Sequence, residues 1–246
     1  MSVNRAIESL LMRQDLWRGQ PEQQVASGYD TGFPELVDSL PKWPAHGICE
    51  LLTPVPGAGE LGLLLPLLRQ YLSAETYQPV ALVAPNFIPN AQTLAWLQLP
   101  PEYFLWLDVT ERREALWAME QLLANGSCPL VLGWFAHLSL KEARRLQLAA
   151  ESGNALGFCL LPVSQAGNNH PVPLKLALEP LAGNRSRLQI LKRRGGWPVP
   201  EIVLSGVMVP GWYALAEVTL SSPSNVVAGP WDHAQESDRQ VSNYHD

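Results

Sequence analysis

The sequence predicts an α/β fold: a mostly parallel sheet with flanking helices and a C-terminal antiparallel hairpin. Three observations predict it. From residue 47 onward, apolar runs of strand length alternate with helix-patterned segments, the order that builds a parallel sheet through right-handed crossovers. Several of those runs are apolar throughout, as strands covered on both faces are. After residue 170 the pattern changes to period-two alternation around Gly183-Asn184, a hairpin signal.

Taken in order, residues 2–17 place Val3, Ile7, Leu10 and Leu11 on one helical face, with Asn4, Arg5, Glu8 and Arg13 opposite. A polar connector, 18–24, follows, so residues 1–26 read as a helical arm and linker. Ile7, Leu10 and Leu11 are candidate partner contacts; the same stripe also suits packing on the chain's own core. Residues 27–220 form the main domain. Its strand candidates are Ile48–Thr53, Pro79–Ala84, Tyr103–Asp108, Pro129–Phe135 and Leu156–Pro162. A leucine-rich helix follows Gly59, with Pro66 past its first turn, where a kink or early break is expected. A second helix spans 111–124, with Thr110 at its N-cap and Asn125-Gly126 as its stop. A third spans 140–151, with Ser139 and Glu142 spaced as a capping box and Gly153 beyond its end. Pro173–Glu179 and Arg187–Lys192 make the hairpin, and further strands are expected at Glu201–Leu204 and Ala214–Leu220. Residues 221–246 are a polar tail, expected to be disordered. Trp231 stands alone in it, either an isolated exposed side chain or a single anchor for a partner.

Composition narrows the function classes. Only 16% of the 246 residues are charged and 47% are apolar, including nine Trp. Such a chain buries a large core and can keep apolar surface for a partner. A formal net charge of −6 argues against non-specific nucleic-acid binding by the whole molecule. The run Leu63–Leu68 is far too short to span a membrane and contains Pro66. Arg5, Glu8 and Asp15 interrupt any secretion-type apolar segment. Cys49, Cys128 and Cys159 are widely spaced beside apolar stretches, which predicts buried thiols in a reducing cytoplasm.

Residues 53–61, Thr-Pro-Val-Pro-Gly-Ala-Gly-Glu-Leu, sit between a strand and a helix. That is the setting of a nucleotide phosphate loop. A working loop needs a Lys for the terminal phosphates and a Ser or Thr for magnesium. After Gly57 and Gly59, those places hold Glu60 and Leu61. A carboxylate repels phosphate, and Leu cannot ligate a hard cation. The stretch therefore reads as a degenerate phosphate loop, and it also suits an ordinary Gly/Pro turn. The five His show no ligand spacing with Cys or carboxylates, and there is no G-x-S-x-G elbow. No catalytic residue, metal or cofactor is expected. Arg185, Arg187, Lys192, Arg193 and Arg194 concentrate five of 17 basic residues in ten positions, with no acid between Glu179 and Glu201. They are candidates for DNA phosphates or an acidic partner, or for a solvated strand end.

Several segments carry a family likeness. Thr31–Pro41, then Trp43-Pro44, then the strand and degenerate loop resemble the entry to the RecA-like ATPase core, and Leu16-Trp17-Arg18-Gly19, Thr31-Gly32, Gly57–Leu61, Leu63-Leu64-Leu65-Pro66, Ala84-Pro85, Ala115-Leu116-Trp117, Arg144–Glu151, Ala155–Phe158 and Leu191–Gly196, in that order, carry a closer match. Within it they resemble the ImuA family of bacterial mutagenesis cassettes. Thr53 departs from that family, whose loop usually opens with Gly. The resemblance implies a RecA-like fold with a degenerate P-loop. It implies a non-catalytic adaptor in SOS-induced, error-prone translesion synthesis. The implied partners are an ImuB-type inactive Y-family polymerase relative, RecA, and an error-prone replicative-type polymerase through the complex, with DNA a further candidate. Against an active member, Gly133-Trp134 stand where a magnesium-binding Asp belongs, and Pro85-Asn86 where a water-activating Glu belongs. No ATP hydrolysis is expected, and no ATP affinity better than about millimolar, roughly 4 kcal/mol. Residues 63–164 also resemble the SulA family, damage-induced inhibitors of cell division that bind the tubulin-like protein FtsZ. Ala150–Phe158, Pro162-Val163-Ser164 and Val131–Trp134 carry that likeness. SulA-type chains are shorter, and lack the Thr31-Gly32 segment and the Lys192–Arg194 hairpin. They tend to carry a basic residue just before the third strand, absent from Pro100–Tyr103. The adaptor is thus the first expectation and the FtsZ-binding inhibitor the alternative.

Overall fold

Seven consecutive buried residues make Gly47–Thr53 (β1) an inner strand. The computed structural model describes residues 28–73, 78–87 and 90–207. The arm 1–26, with Ile7, Leu10 and Leu11, lies outside the described residues, as do the strand expected at Ala214–Leu220 and the tail with Trp231. The other strands are Val80–Val83 (β2), Phe104–Leu107 (β3), Leu130–Trp134 (β4), Leu156–Pro162 (β5), Leu174–Leu181 (β6), Arg185–Arg193 (β7) and Val199–Ser205 (β8). Among the described residues they form one eight-stranded sheet in the order β3-β2-β4-β5-β1-β6-β7-β8. The first six in that order run parallel. β7 is antiparallel to both its neighbours. The sheet is the predicted mixed one, mostly parallel with an antiparallel hairpin.

Four α-helices connect these strands: Glu60–Leu72 (α1), Ala91–Trp96 (α2), Arg112–Asn125 (α3) and Leu140–Ser152 (α4). α3 starts one residue later than expected, with Glu111 rather than Thr110 at its N-cap, and Gly126 closes it with φ 65°. α4 carries the capping box: the Ser139 hydroxyl accepts from the Glu142 amide, and the Glu142 carboxylate accepts from the Ser139 amide. The Arg112 guanidinium bonded to Glu142 holds that carboxyl down at about 2. α2 was not legible in the sequence, because none of its residues is buried and no apolar stripe marks it.

α1 runs unbroken through Pro66, so the expected early break does not occur. A proline inside a helix costs about 3 kcal/mol. Leu63, Leu64, Leu67 and Leu68 flank it and are all buried, each contributing about 1.5–3 kcal/mol. Burial outweighs the lost hydrogen bond. Gly32 lies against the proline ring; a Cβ there would sit 2.3 Å from Pro66 Cβ.

The two sheet faces have separate cores. On one, Ile48, Leu52, Ala81, Val83, Val131, Cys159 and Leu161 pack with Ala115, Met119 and Leu123 of α3 and with Leu146 and Ala150 of α4. Strand alternation turns Cys49, Leu51 and Phe158 to the other face. There Trp43 meets Phe158 edge-on at 5.3 Å, and Tyr29 meets Tyr71 of α1 at 5.7 Å. The segment 28–46 is thus part of the core. The three cysteines are free and buried, as expected.

Candidate functional site

The loop Pro54–Gly59 leaves β1 and turns into α1 through two residues with positive φ, Gly57 at 82° and Gly59 at 104°. Such alternation converges backbone amides into an anion-binding concavity. A side chain of the chain itself fills it. Glu60, the first residue of α1, is buried, and its Oε1 accepts from the Gly57 amide at 2.6 Å. Burial pushes the Glu60 carboxyl above its usual range, against the pull of the amides at 57–60, which favour the charged form. Oε2 is buried without a hydrogen bond among the described residues. Leu61 is half-buried and offers no ligand. Phe87 lies over the loop, 3.3 Å from where a Gly57 Cβ would be. At the end of β4, a Cβ on Gly133 would sit 2.7 Å from both Met119 Sδ and the Phe135 ring. No carboxylate fits at that position.

Glu60→Gln keeps an oxygen for the Gly57 amide and removes the buried charge. The folded carboxyl lies above its unfolded value. Its stabilising effect is therefore complete below the unfolded value and is lost as pH rises through the folded one. The variant should melt higher than the parent at pH 7 and match it below about pH 4. Equal or lower melting at pH 7 would sink this.

The basic run is not one patch. Arg187 faces Glu179 directly across the hairpin and binds it at 2.7 Å, with Glu201 at 3.3 Å. A bulge between Ile190 and Lys192 resets the alternation. Lys192 therefore shares a face with Arg187 and donates to the His170 carbonyl at 2.6 Å. Arg193 points to the opposite face and donates to the carbonyls of Ser39 and Trp197. Arg185 donates to the Ala182 carbonyl and Arg194 is exposed beyond β7. Lys192 and Arg193 are thus committed to internal carbonyls.

The sequence reading missed a buried ionic cluster. Glu50, in the middle of β1, is fully buried. Its Oε1 lies 2.5 Å from His170 Nδ1 and its Oε2 3.2 Å from Lys175 Nζ. The second contact is an ion pair rather than an aligned hydrogen bond. Lys175 also donates to the carbonyls of Gln165 and Asn168. Burial and the Glu50 charge push the Cys49 and Cys159 thiols well up. Glu50 and His170 are 120 residues apart, so no spacing rule joins them. Among the described residues no group of three or more His, Cys, Asp or Glu side chains could hold a metal ion.

An apolar surface lies at the β3 edge. Leu105 and Trp106 are 43% and 38% exposed, and Trp96 at the end of α2 is 62% exposed. Among the described residues β3 pairs only with β2, which leaves its outer edge without a strand partner there. Among the described residues no helix is long and apolar enough to cross a membrane.

Comparison with known proteins identifies relatives of this stretch. The family described as "Cell division inhibitor SulA" matches residues 55–157. Cell division inhibitor SulA of Photorhabdus laumondii is 40% identical over 100 residues, covering 41% of this chain and 55% of that protein. The protein of the same name from Edwardsiella piscicida is 32% identical over 127 residues, covering 46% and 74%. That of Yersinia pestis is 33% identical over 119 residues, covering 46% and 68%. The chain thus spans about half the length of the Photorhabdus relative. A crystal structure of SulA from Pseudomonas aeruginosa aligns with a TM-score of 0.40 and 27% identity, over 46% of this chain and 97% of that one. These findings overturn the expected adaptor role in translesion synthesis, and leave the ImuB-type, RecA and polymerase partners without support. The two features that favoured it have internal uses: Gly32 seats Pro66, and Lys192 and Arg193 tie down loop carbonyls.

Proposed function

The chain belongs to the SulA family of cell division inhibitors, and from that premise we propose that it arrests division in the SOS response by binding FtsZ and blocking its polymerisation. It acts by surface recognition rather than catalysis. We read its sheet as a RecA-like core with a degenerate P-loop. The supports are the inner position of β1, the glycine turn into α1, and Glu60 and Leu61 in place of phosphate and magnesium ligands.

The observation that carries the partner proposal is the β3 edge, which lies inside the matched stretch. Phe104-Leu105-Trp106-Leu107 has no charge, no proline and no bulge. Soluble proteins protect edge strands with such features, so an unprotected apolar edge marks a binding surface. Trp96 and Trp106 supply the side-chain type that most often anchors an interface. No basic residue lies in Pro100–Tyr103, just before β3, so the contact is read as apolar.

In GTP-driven FtsZ sedimentation, the protein at stoichiometric amounts should abolish the pellet. Trp106→Ala should weaken inhibition about 30-fold or more, corresponding to an anchor worth about 2 kcal/mol. Undiminished FtsZ polymerisation at excess protein would refute the function. Full inhibition by a folded Trp106→Ala would refute the surface.

A further inference from the structure

We propose that the chain's own N-terminal stripe, Val3, Ile7, Leu10 and Leu11, docks on the strip formed by Trp96, Phe104 and Trp106 beside β3, and competes there with the partner. The inference rests on the reading above for its effect on FtsZ; the docking itself is tested without FtsZ.

The strip belongs to one face of the sheet. Leu107 packs against the core shared with α3 and α4. Side chains alternate along a strand, so Phe104 and Trp106 point to the opposite face. That face carries α1 and segment 28–46, where Tyr29 meets Tyr71 at 5.7 Å. Trp96 lies on the same side. The Arg69 guanidinium of α1 donates at 3.0 Å to the carbonyl of Leu97, the residue after Trp96, which holds the end of α2 against α1. Both indoles are left in solvent, Trp96 the more so.

The occupant is indicated by where the described chain begins. Gly28 is its first residue. Two positions on, the Asp30 amide donates to Gln70 Oε1 at 3.2 Å, and the Asp30 carbonyl accepts from Gln70 Nε2 at 3.0 Å. Gln70 adjoins Arg69, which holds Leu97. Two neighbouring side chains of α1 therefore link the start of the described chain to the residue beside Trp96. Leu11 precedes Gly28 by 17 positions, a reach of up to about 55 Å when extended. Packed helices lie only about 8–10 Å apart, so the stripe reaches the strip from the side on which the chain enters. Its helical spacing is that of a segment laid into an apolar groove. A tethered segment acts at an effective concentration of about millimolar, so it occupies the strip ahead of a second copy. Docking takes the indoles out of water and lowers the apparent affinity for the partner by the fraction of chains left open.

The test places a nitroxide on Leu10→Cys in the full chain. Cys49, Cys128 and Cys159 are buried, so the label goes to the new thiol. The indole resonances of Trp96 and Trp106, assigned with Trp96→Phe and Trp106→Phe, should lose most of their intensity and regain it when the nitroxide is reduced. Adding Ile7→Ser and Leu11→Ser should restore both signals in a chain that still melts cooperatively. Without the label, the chain carrying Ile7→Ser and Leu11→Ser should stop FtsZ sedimentation at a concentration about fivefold below that of the parent. Unbroadened Trp96 and Trp106 signals would overturn the docking, and so would broadening that disappears on dilution, since a second copy would then be the occupant. Broadening with equal potency of the two chains would overturn the competition. Failure of both chains to act on FtsZ would count against the partner proposed above, while the nitroxide still decides the docking.

Discussion

Lys175→Met should destabilise the folded chain by about 3–5 kcal/mol, the usual cost of stranding one member of a buried ion pair. Against a total stability of about 5–15 kcal/mol for a domain, that is a large fraction. The geometry explains why. Lys175 is the register partner of Glu50 across β1 and β6, and both side chains are buried. Removing the ammonium leaves Glu50 with only His170. It also leaves the Gln165 and Asn168 carbonyls without their donor, which loosens the segment between β5 and β6. Glu50→Met added to Lys175→Met should recover about 1 kcal/mol or more, because an apolar pair of similar volume replaces an uncompensated charge. Urea unfolding of the two single variants and the double variant measures this. A single-variant cost below about 1 kcal/mol, or strict additivity, would show that Glu50 and Lys175 are not coupled.

This cluster also shows what can and cannot be read from the chain. The strands were legible because their apolar runs are local: β1, β4 and β5 lie where continuous burial predicts them. The capping box of α4 was legible because its residues are three apart. Glu50 was not, since a lone acid inside an apolar strand signals nothing until β6 and the His170 segment are brought beside it. The charge run at 185–194 misled for the opposite reason. Linear spacing isolates it from acids, yet the hairpin register sets Glu179 opposite Arg187 and brings Glu201 within reach. Its split between two faces depends on one bulge, which no periodicity rule anticipates. At the loop, the sequence showed which ligands were missing. Only in the folded chain does Glu60 turn back to bond the Gly57 amide. The edge position of β3 was equally hidden, because its composition is that of an inner strand and only the strand order places it at the edge of the described sheet.

Trp43→Ala should cost about 3–5 kcal/mol, as emptying a fully buried aromatic site does. Trp43 is 1% exposed and meets Phe158 of β5 edge-on. It precedes the stretch shared with the SulA family, residues 55–157, so its cost reports whether segment 28–46 is part of the core or a detachable lead. The segment is tied to the sheet elsewhere too: Arg193 donates to the Ser39 carbonyl, and the Gln70 side chain bridges to Asp30. Trp43→Phe separates packing from polarity. The indole Nε1 is buried with no hydrogen-bond partner among the described residues, a donor whose burial costs about 1–3 kcal/mol. Phe restores most of the volume and removes that donor, so it should stay within about 1.5 kcal/mol of the parent. Thermal and urea unfolding of both variants decides the matter. If Trp43→Ala unfolds in the same transition as the parent with less than about 1 kcal/mol lost, segment 28–46 is not part of the cooperative core. If Ala and Phe cost the same, the indole's volume is not what the sheet uses.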